Sequence, residues 1–356
     1  FNFAEAFGRS HIFGGLEANR VYDGQDIYDL GIHAPLTQAT LITGFGDGAM
    51  LAGEYAYTWR YYNANGGVLS TVPDLSKAPK VTHAGGVTTG KVQVTISELP
   101  SDPQVTAIQI LRTKADVPGI YYHVAYVTVG QDDTAFGAIV YIDKAADTAL
   151  PLQPEKNLSK HQKLPACRYG VFFRGRLWVA GDPASPTSLY YSEALDPYNW
   201  SGPIAAEIRV EVFDQERITG LLVHRGSLYI FKRHSVYRLE GVDPLTFSAD
   251  LVLDGIGALN QSSIASIGDW IFFRSEQGPY RFNGLNEQRV GMPLDGLFET
   301  ANDAYMHLSA CTVFPGENLW VLSYPSNPAL PYNDKAVVLD LDRSLREDKI
   351  VRSPID

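Results

Sequence analysis

Carboxylates are the commonest reactive groups in the sequence: 40 Asp and Glu stand against 29 Lys and Arg, 8 His and 2 Cys. Glycoside hydrolysis needs only two of them, ~5–10 Å apart, one as acid and one as base or nucleophile. Asp182, Glu193, Asp196 and Asp214 are the acids that a β fold could bring together for this. Asp196-Pro197-Tyr198-Asn199-Trp200 reads as a turn with an aromatic anchor, because Asp-Pro starts turns readily. Metal ligation finds no support, since there is no His-x-His and no His-Glu-x-x-His; His224 and His234 are expected at the surface of neighbouring strands. A Gly-x-Ser-x-Gly elbow and a Gly-x-x-x-x-Gly-Lys-Ser/Thr loop are both absent. Gly44-Phe45-Gly46-Asp47-Gly48 has the glycines of a phosphate loop but no Lys and no strand-to-helix setting, so it reads as a turn. Cys167 and Cys311 are too few for a disulfide framework, which favours assembly in a reducing compartment. No catalytic, cofactor-binding or metal residue is assigned, and the expectation is a protein that is not an enzyme.

The elements that would carry such groups are short strands. Of 356 residues, 45 % are hydrophobic and 19 % charged, which is a core-forming composition rather than a disordered one. Gly (32), Pro (21), Tyr (20) and Phe (16) together favour strands joined by tight turns. The length suits about two domains. A net charge of −11 excludes a broad basic face for nucleic acid. No run approaches the ~18 apolar residues of a membrane span, polybasic clusters are absent, and no secretory signal pattern opens the chain.

Residues 51–150 have their own character. Tyr55, Tyr57, Trp59 and Tyr61 alternate at period two, which places them on one strand face. Val92, Val94 and Ile96 alternate likewise, as do Ile108 and Ile110, then Tyr122, Val124 and Tyr126, and a further strand runs over Ile139–Ile142. Asp132-Asp133 is expected to end a strand. Strands at this spacing, with Pro-rich joints and almost no helical period, predict an immunoglobulin- or fibronectin type III-like β-sandwich without a disulfide. Leu150-Pro151-Leu152-Gln153-Pro154 reads as a linker, followed by a helical turn over Glu155–His161.

Residues 151–356 repeat one theme: an apolar strand, a Gly-centred turn, then an apolar-aromatic strand. The copies are Phe172–Val179, Val223–Phe231, Ser266–Phe273 and Val313–Val321, with turn glycines Gly175, Gly226, Gly268 and Gly316. Their spacings are 51, 42 and 48 residues, within the ~40–50 of a four-stranded propeller blade. A second hairpin, Tyr-Arg-apolar-x-Gly, recurs at Tyr237–Gly241 and Tyr280–Gly284, 11 and 12 residues beyond Gly226 and Gly268. Leu294, Leu297, Phe298, Ala301 and Tyr305 fit one face of a helix inserted between repeats. The expected fold class is all-β: a β-propeller of four-stranded blades, with residues 1–50 an N-terminal propeller segment, 51–150 the inserted sandwich and 151–356 the remaining blades.

The phrase Leu189-Tyr190-Tyr191-Ser192-Glu193-Ala194-Leu195-Asp196-Pro197-Tyr198-Asn199-Trp200, followed by Ile218–Leu221, Gly226–Lys232, Ser235–Gly241 and Gly278–Gly284, resembles the β-propeller part of tail nozzle or tail-hub proteins of short-tailed bacteriophages. The resemblance covers residues 165–300 well and 20–150 loosely. It implies a structural virion protein of the tail, assembled in the host cytoplasm. It further implies copies in a hexameric ring below the portal and adaptor, and genomic DNA passing through the lumen without specific binding. It implies no catalytic residue and no cofactor. The alternative is a propeller that binds or hydrolyses carbohydrate, resting on exposed aromatics and the acids around Asp196; the Ser-x-Asp-x-Gly-x-x-Trp boxes of sialidase-type propellers are absent.

Overall fold

The computed structural model describes residues 1–84, 90–130, 137–156, 158–159, 164–200, 207–211, 213–290, 303–327 and 330–341. The chain is all-β, built of antiparallel sheets. It divides into two compact units. The first comprises Phe1–Gln25, Pro165–Leu195 and Ile204–Asp356; the second comprises Asp26–Leu164 and Asp196–Pro203.

The chain starts in the first unit with β1 (Asn2–Ala6), β2 (Arg9–Phe13) and β3 (Arg20–Tyr22), and passes through β4 (Ile27–Asp29) towards the second. Ala6 faces Arg9, which leaves Phe7-Gly8 as a two-residue turn with φ of 54° and 72°. Positive φ at both positions matches the right-handed twist of the flanking strands, and Gly takes the second position without a Cβ clash. This hairpin is a further copy of the repeat. The sequence spacing does not reveal it, because the second unit is inserted between Gly8 and Gly175.

In the second unit, β5 (Thr40–Met50), β9 (Gly90–Ile96) and β12 (Ile139–Asp143) form one sheet in the order β12-β9-β5. Residues 40–50 are thus strand partners of β9, although on sequence they group with the N-terminal segment. A second sheet is ordered β11-β10-β6-β7, from β6 (Gly53–Asn63), β7 (Val68–Leu69), β10 (Ala107–Lys114) and β11 (Val117–Thr128); β8 (Lys80–His83) also pairs with β6. Tyr55, Tyr57, Trp59 and Tyr61 are buried as their alternation predicts, but Ala56, Thr58 and Arg60 between them are buried too. β6 is therefore covered on both faces, which a period-two pattern alone does not foresee. Along β11 the buried ring is Tyr121, while Tyr126 is exposed. Gly44–Gly48 lies inside β5 as an irregularity in its register against β9, not as a turn between elements. A Cβ on Gly48 would sit 1.9 Å from the Gly90 carbonyl oxygen, so the close backbone approach explains that glycine. Asp132-Asp133 lies outside the described residues.

Back in the first unit, three four-stranded sheets follow, each laid down in sequence order. They are β13 (Tyr169–Phe173) to β16 (Glu207–Arg209), with β14 (Arg176–Ala180) and β15 (Ser188–Tyr191); β17 (Gly220–His224) to β20 (Ser248–Asp254), with β18 (Ser227–Phe231) and β19 (Ser235–Glu240); and β21 (Ile264–Ile267) to β24 (Glu287–Arg289), with β22 (Trp270–Ser275) and β23 (Gly278–Phe282). A last sheet joins β25 (Ala310–Phe314), β26 (Leu319–Tyr324) and β27 (Lys335–Asp340). All four predicted hairpins are present. Arg174-Gly175 and Arg225-Gly226 repeat the Phe7-Gly8 turn, whereas in the last copy Asn318 rather than Gly316 takes the positive φ.

The sheets pack face on face. On β18, Leu228 and Ile230 join a core with Trp178, Tyr191 and Leu189 of the preceding sheet. Tyr229 and Phe231, on the opposite face, join Ile271, Phe273 and Phe282 of the following one. On β22 the same division puts Phe272 against Trp320, Leu322 and Val337. Strands buried on both faces need unbroken apolar runs, which is why Leu228-Tyr229-Ile230-Phe231 carries no polar residue. The helix predicted from Pro293 falls mainly outside the described residues; its end, Asp303–Leu308, is a 3-10 segment. The helical turn expected over Glu155–His161 lies partly outside the described residues, and Glu155 and Lys156 are not helical.

His11 on β2 is fully buried, with Nδ1 3.3 Å from the Ala4 carbonyl oxygen. Burial pushes its imidazole down to about 4. The unfolded chain takes up that proton near pH 6.5, so this contribution is complete above 6.5 and is lost as pH falls towards 4. Between pH 7 and pH 5 the loss from this site is expected to be about 2 kcal/mol. Urea unfolding at both pH values should show it in the parent protein and show it abolished in His11→Gln.

Candidate functional site

Three of the four acids singled out on sequence are bound to separate partners. Asp182 accepts from the Tyr190 hydroxyl at 2.9 Å and from the Ala184 N–H at 2.9 Å. Asp196 accepts from the Tyr198 N–H at 3.1 Å, and burial raises its carboxyl above the usual range. Asp214 holds the buried Lys232 ammonium at 2.7 and 2.9 Å. Glu193 is half-buried. Each of the first three acids is thus committed to a local turn or an ion pair.

Each histidine departs from the sequence expectation in one respect: His224 is on a strand but not at the surface, and His234 is exposed but not on a strand. His224 is buried, with Nε2 3.2 Å from the Asp269 carbonyl oxygen. His234 lies in the connection between β18 and β19 rather than on a strand. No group of three or more His, Cys, Asp or Glu is disposed to hold a metal among the described residues. The two cysteines are free thiols, both pushed up by burial, Cys311 to about 12.

Titratable groups do converge elsewhere in the first unit. A cavity of about 460 Å³ is lined by Arg168, Glu216, Arg217, Thr219, Arg233, Leu259, Ala304, Met306 and His307. All but Arg233 come from the entries to four successive sheets. Arg168 directly precedes β13, and its N–H donates to the Ala180 carbonyl at 2.9 Å. Glu216, Arg217 and Thr219 precede β17. Thr219 anchors that entry, its N–H donating to the Phe231 carbonyl at 2.7 Å and its hydroxyl to the Ala258 carbonyl at 2.7 Å. Leu259 approaches β21, its N–H bonded to the Arg274 carbonyl at 3.0 Å. Met306 and His307 belong to the 3-10 segment before β25. Arg233 sits in the β18–β19 connection.

The charges divide into two sets. In one, His234 bridges two carboxylates, with Nδ1 on Glu216 and Nε2 3.0 Å from Glu276, while Arg233 also pairs with Glu276. The hydrogen bonds to Glu216 and then Glu276 raise the His234 imidazole above its ordinary value. In the other set, Arg168 and Arg217 both lie within electrostatic reach of the Tyr169 phenol. Burial raises this phenol and outweighs both arginines, which favour its ionised form. Neither Arg168 nor Arg217 has an ion-pair partner among the described residues.

Sequence reasoning did not single out these arginines. The available signal was positional: Arg168 stands two residues before Gly170 and Arg217 three before Gly220, at equivalent entries to the repeat.

No family model matches the sequence, and no curated protein matches it. Among solved structures, KlHsv2 with loop 6CD replaced by a Gly-Ser linker is 9 % identical, covering 70 % of this chain and 73 % of its own, with a TM-score of 0.26. Apo AztD from Citrobacter koseri is 10 % identical over 82 % of this chain and 92 % of its own, with a TM-score of 0.25. A second Citrobacter koseri AztD structure is 10 % identical over 85 % and 95 %, with a TM-score of 0.26.

Proposed function

We propose that this chain is a structural virion protein that forms part of the tail nozzle or hub of a short-tailed bacteriophage. In this reading the successive sheets of the first unit are blades of a β-propeller, and the second unit is an immunoglobulin- or fibronectin-like sandwich inserted after the first blade. The observation that carries it is the succession of antiparallel meanders packed face on face, with a second compact β unit inserted in the chain. Strands of successive sheets approach closely, Gly170 on β13 against Phe13 on β2 and Gly220 on β17 against Ile264 on β21. A Cβ on Gly170 would lie 2.1 Å from the Phe13 ring, and one on Gly220 2.4 Å from Ile264.

Copies of the chain assemble into a ring, a hexamer, that meets the portal, adaptor and other tail proteins and conducts genomic DNA during ejection. The role is mechanical and electrostatic, with no catalytic residue and no cofactor. At −11 per copy, a ring of this protein repels the phosphate backbone and lets DNA slide rather than grip. Among the described residues no helix is long and apolar enough to cross a membrane.

Negative-stain imaging and mass measurement of the native assembly test the reading. Rings with six-fold symmetry are the expected result. A monodisperse monomer across the micromolar range, with no ring in the images, would overturn it.

A further inference from the structure

We propose that the cavity bounded by Arg168, Arg217 and Arg233 binds the doubly charged phosphate group of a small phosphate monoester. The inference stands apart from the tail reading and rests on charge balance in the first unit.

Glu216 and Glu276 are matched by Arg233 and by His234 when its ring is protonated. Among the described residues that leaves Arg168 and Arg217 as a surplus of two positive charges in the cavity lining. Two guanidiniums lining one cavity repel each other unless an anion lies between them, and a planar N–H fork suits phosphate oxygens. The chain as a whole is acidic, so this surplus is local rather than part of a general basic surface. The Thr219 hydroxyl is already committed to a carbonyl, which leaves the arginines as the recognising groups. At about 460 Å³ the cavity exceeds the size of a bare phosphate ion and falls in the range of small-ligand sites. Leu259, Ala304 and Met306 give the same cavity apolar lining for the organic part of the ligand.

His234 sets the pH dependence. It faces Glu216 from the entry to β17, Glu276 from the β22–β23 connection, and Arg233 beside it. When it is neutral, one carboxylate charge is uncompensated and the surplus on the cavity falls from two to one. Affinity for a dianion therefore decreases as pH rises through the His234 titration.

The test is calorimetric titration of the whole chain with inorganic phosphate, adenosine 5′-monophosphate, adenosine and sulfate. The monophosphate should bind at least about tenfold more tightly than adenosine, and more tightly than inorganic phosphate. Arg217→Ala and Arg168→Ala should each weaken it by roughly tenfold or more, the scale of a charge-assisted hydrogen bond. Arg225→Ala, at an exposed arginine in the β17–β18 turn, should leave binding unchanged. Thermal unfolding of each variant separates loss of the site from loss of the fold, and Arg217→Lys, which keeps the charge, should retain part of the affinity. Sulfate stays a dianion across pH 6–8, so its weakening with rising pH reads the protein alone, and His234→Gln should remove it. The proposal is overturned by equal affinity for adenosine and its monophosphate, by unchanged binding in Arg217→Ala, by no saturable binding at millimolar anion, or by preference for the internal phosphodiesters of DNA over a terminal phosphate.

Discussion

Replacing Arg112 with alanine is expected to cost the second unit about 3–5 kcal/mol, the range for removing one partner of a buried ion pair. Arg112 is fully buried on β10, and its guanidinium is flanked by two carboxylates and a carbonyl. Nε lies 2.8 Å from Asp143, Nη1 2.6 Å from Asp147, and Nη2 donates to the Ala145 carbonyl at 2.7 Å. The ring of Tyr55 lies beneath it, 5.1 Å from the guanidinium carbon. Asp143, itself without solvent exposure, also accepts from Tyr57 on β6 at 2.8 Å. Truncating Arg112 leaves a buried carboxylate facing a cavity, and the penalty comes from that uncompensated charge more than from the pair itself. Arg112→Lys should recover only part of the loss, because one ammonium cannot reach three acceptors on different sides. The chain divides into two compact units, so scanning calorimetry is expected to resolve two transitions, with Arg112→Ala lowering that of the second unit by roughly 10 °C. A loss below about 1 kcal/mol would show that this network does not hold the two sheets of that unit together.

Trp178→Ala should produce the opposite pattern, lowering the transition of the first unit by about 3–5 kcal/mol and leaving that of the second in place. Trp178 on β14 has no solvent exposure, and its indole N–H donates to the Phe173 carbonyl at 3.1 Å. Its ring centroid lies 5.1 Å from Tyr191 within its own sheet and 5.1 Å from Phe247, which directly precedes β20 of the next. Tyr191 and Phe247 close the triangle at 5.3 Å. The indole therefore belongs to two sheets, and its removal opens a void at their interface instead of within one sheet. Aromatic pairs add about 0.5–1.5 kcal/mol beyond the area they bury, so the two lost pairs place the cost in the upper half of the range. Trp178→Phe, which keeps part of the volume, should cost less than half as much. A drop confined to the second unit's transition would refute this packing.

Much of the fold was legible because its signals are local. A hairpin turn with positive φ at two residues needs Gly within a two-residue window, so Arg174-Gly175 and Arg225-Gly226 announce themselves. The alternation in β9 and the unbroken apolar run in β18 likewise follow from whether one or both faces of a strand are covered. Phe7-Gly8 obeys the same turn chemistry, but a regular spacing could not expose it once the second unit separated it from the other copies. Residues 40–50 were misgrouped for a related reason: pairing of β5 with β9 depends on a partner far along the chain, about which nothing in β5 itself informs.

The sequence by itself determined the all-β class, the hairpin repeat and the acidic balance, since composition, periodicity and turn residues act over a few positions. Only the tertiary structure decided where charge collects. Arg168, Arg217 and Arg233 are unremarkable in their own segments, and Asp182, Asp196 and Asp214, which looked more reactive, are each absorbed by a neighbour. Packing brings successive strand entries to one cavity, and Coulomb energy depends on distance through space and on desolvation, neither of which is written in sequence order.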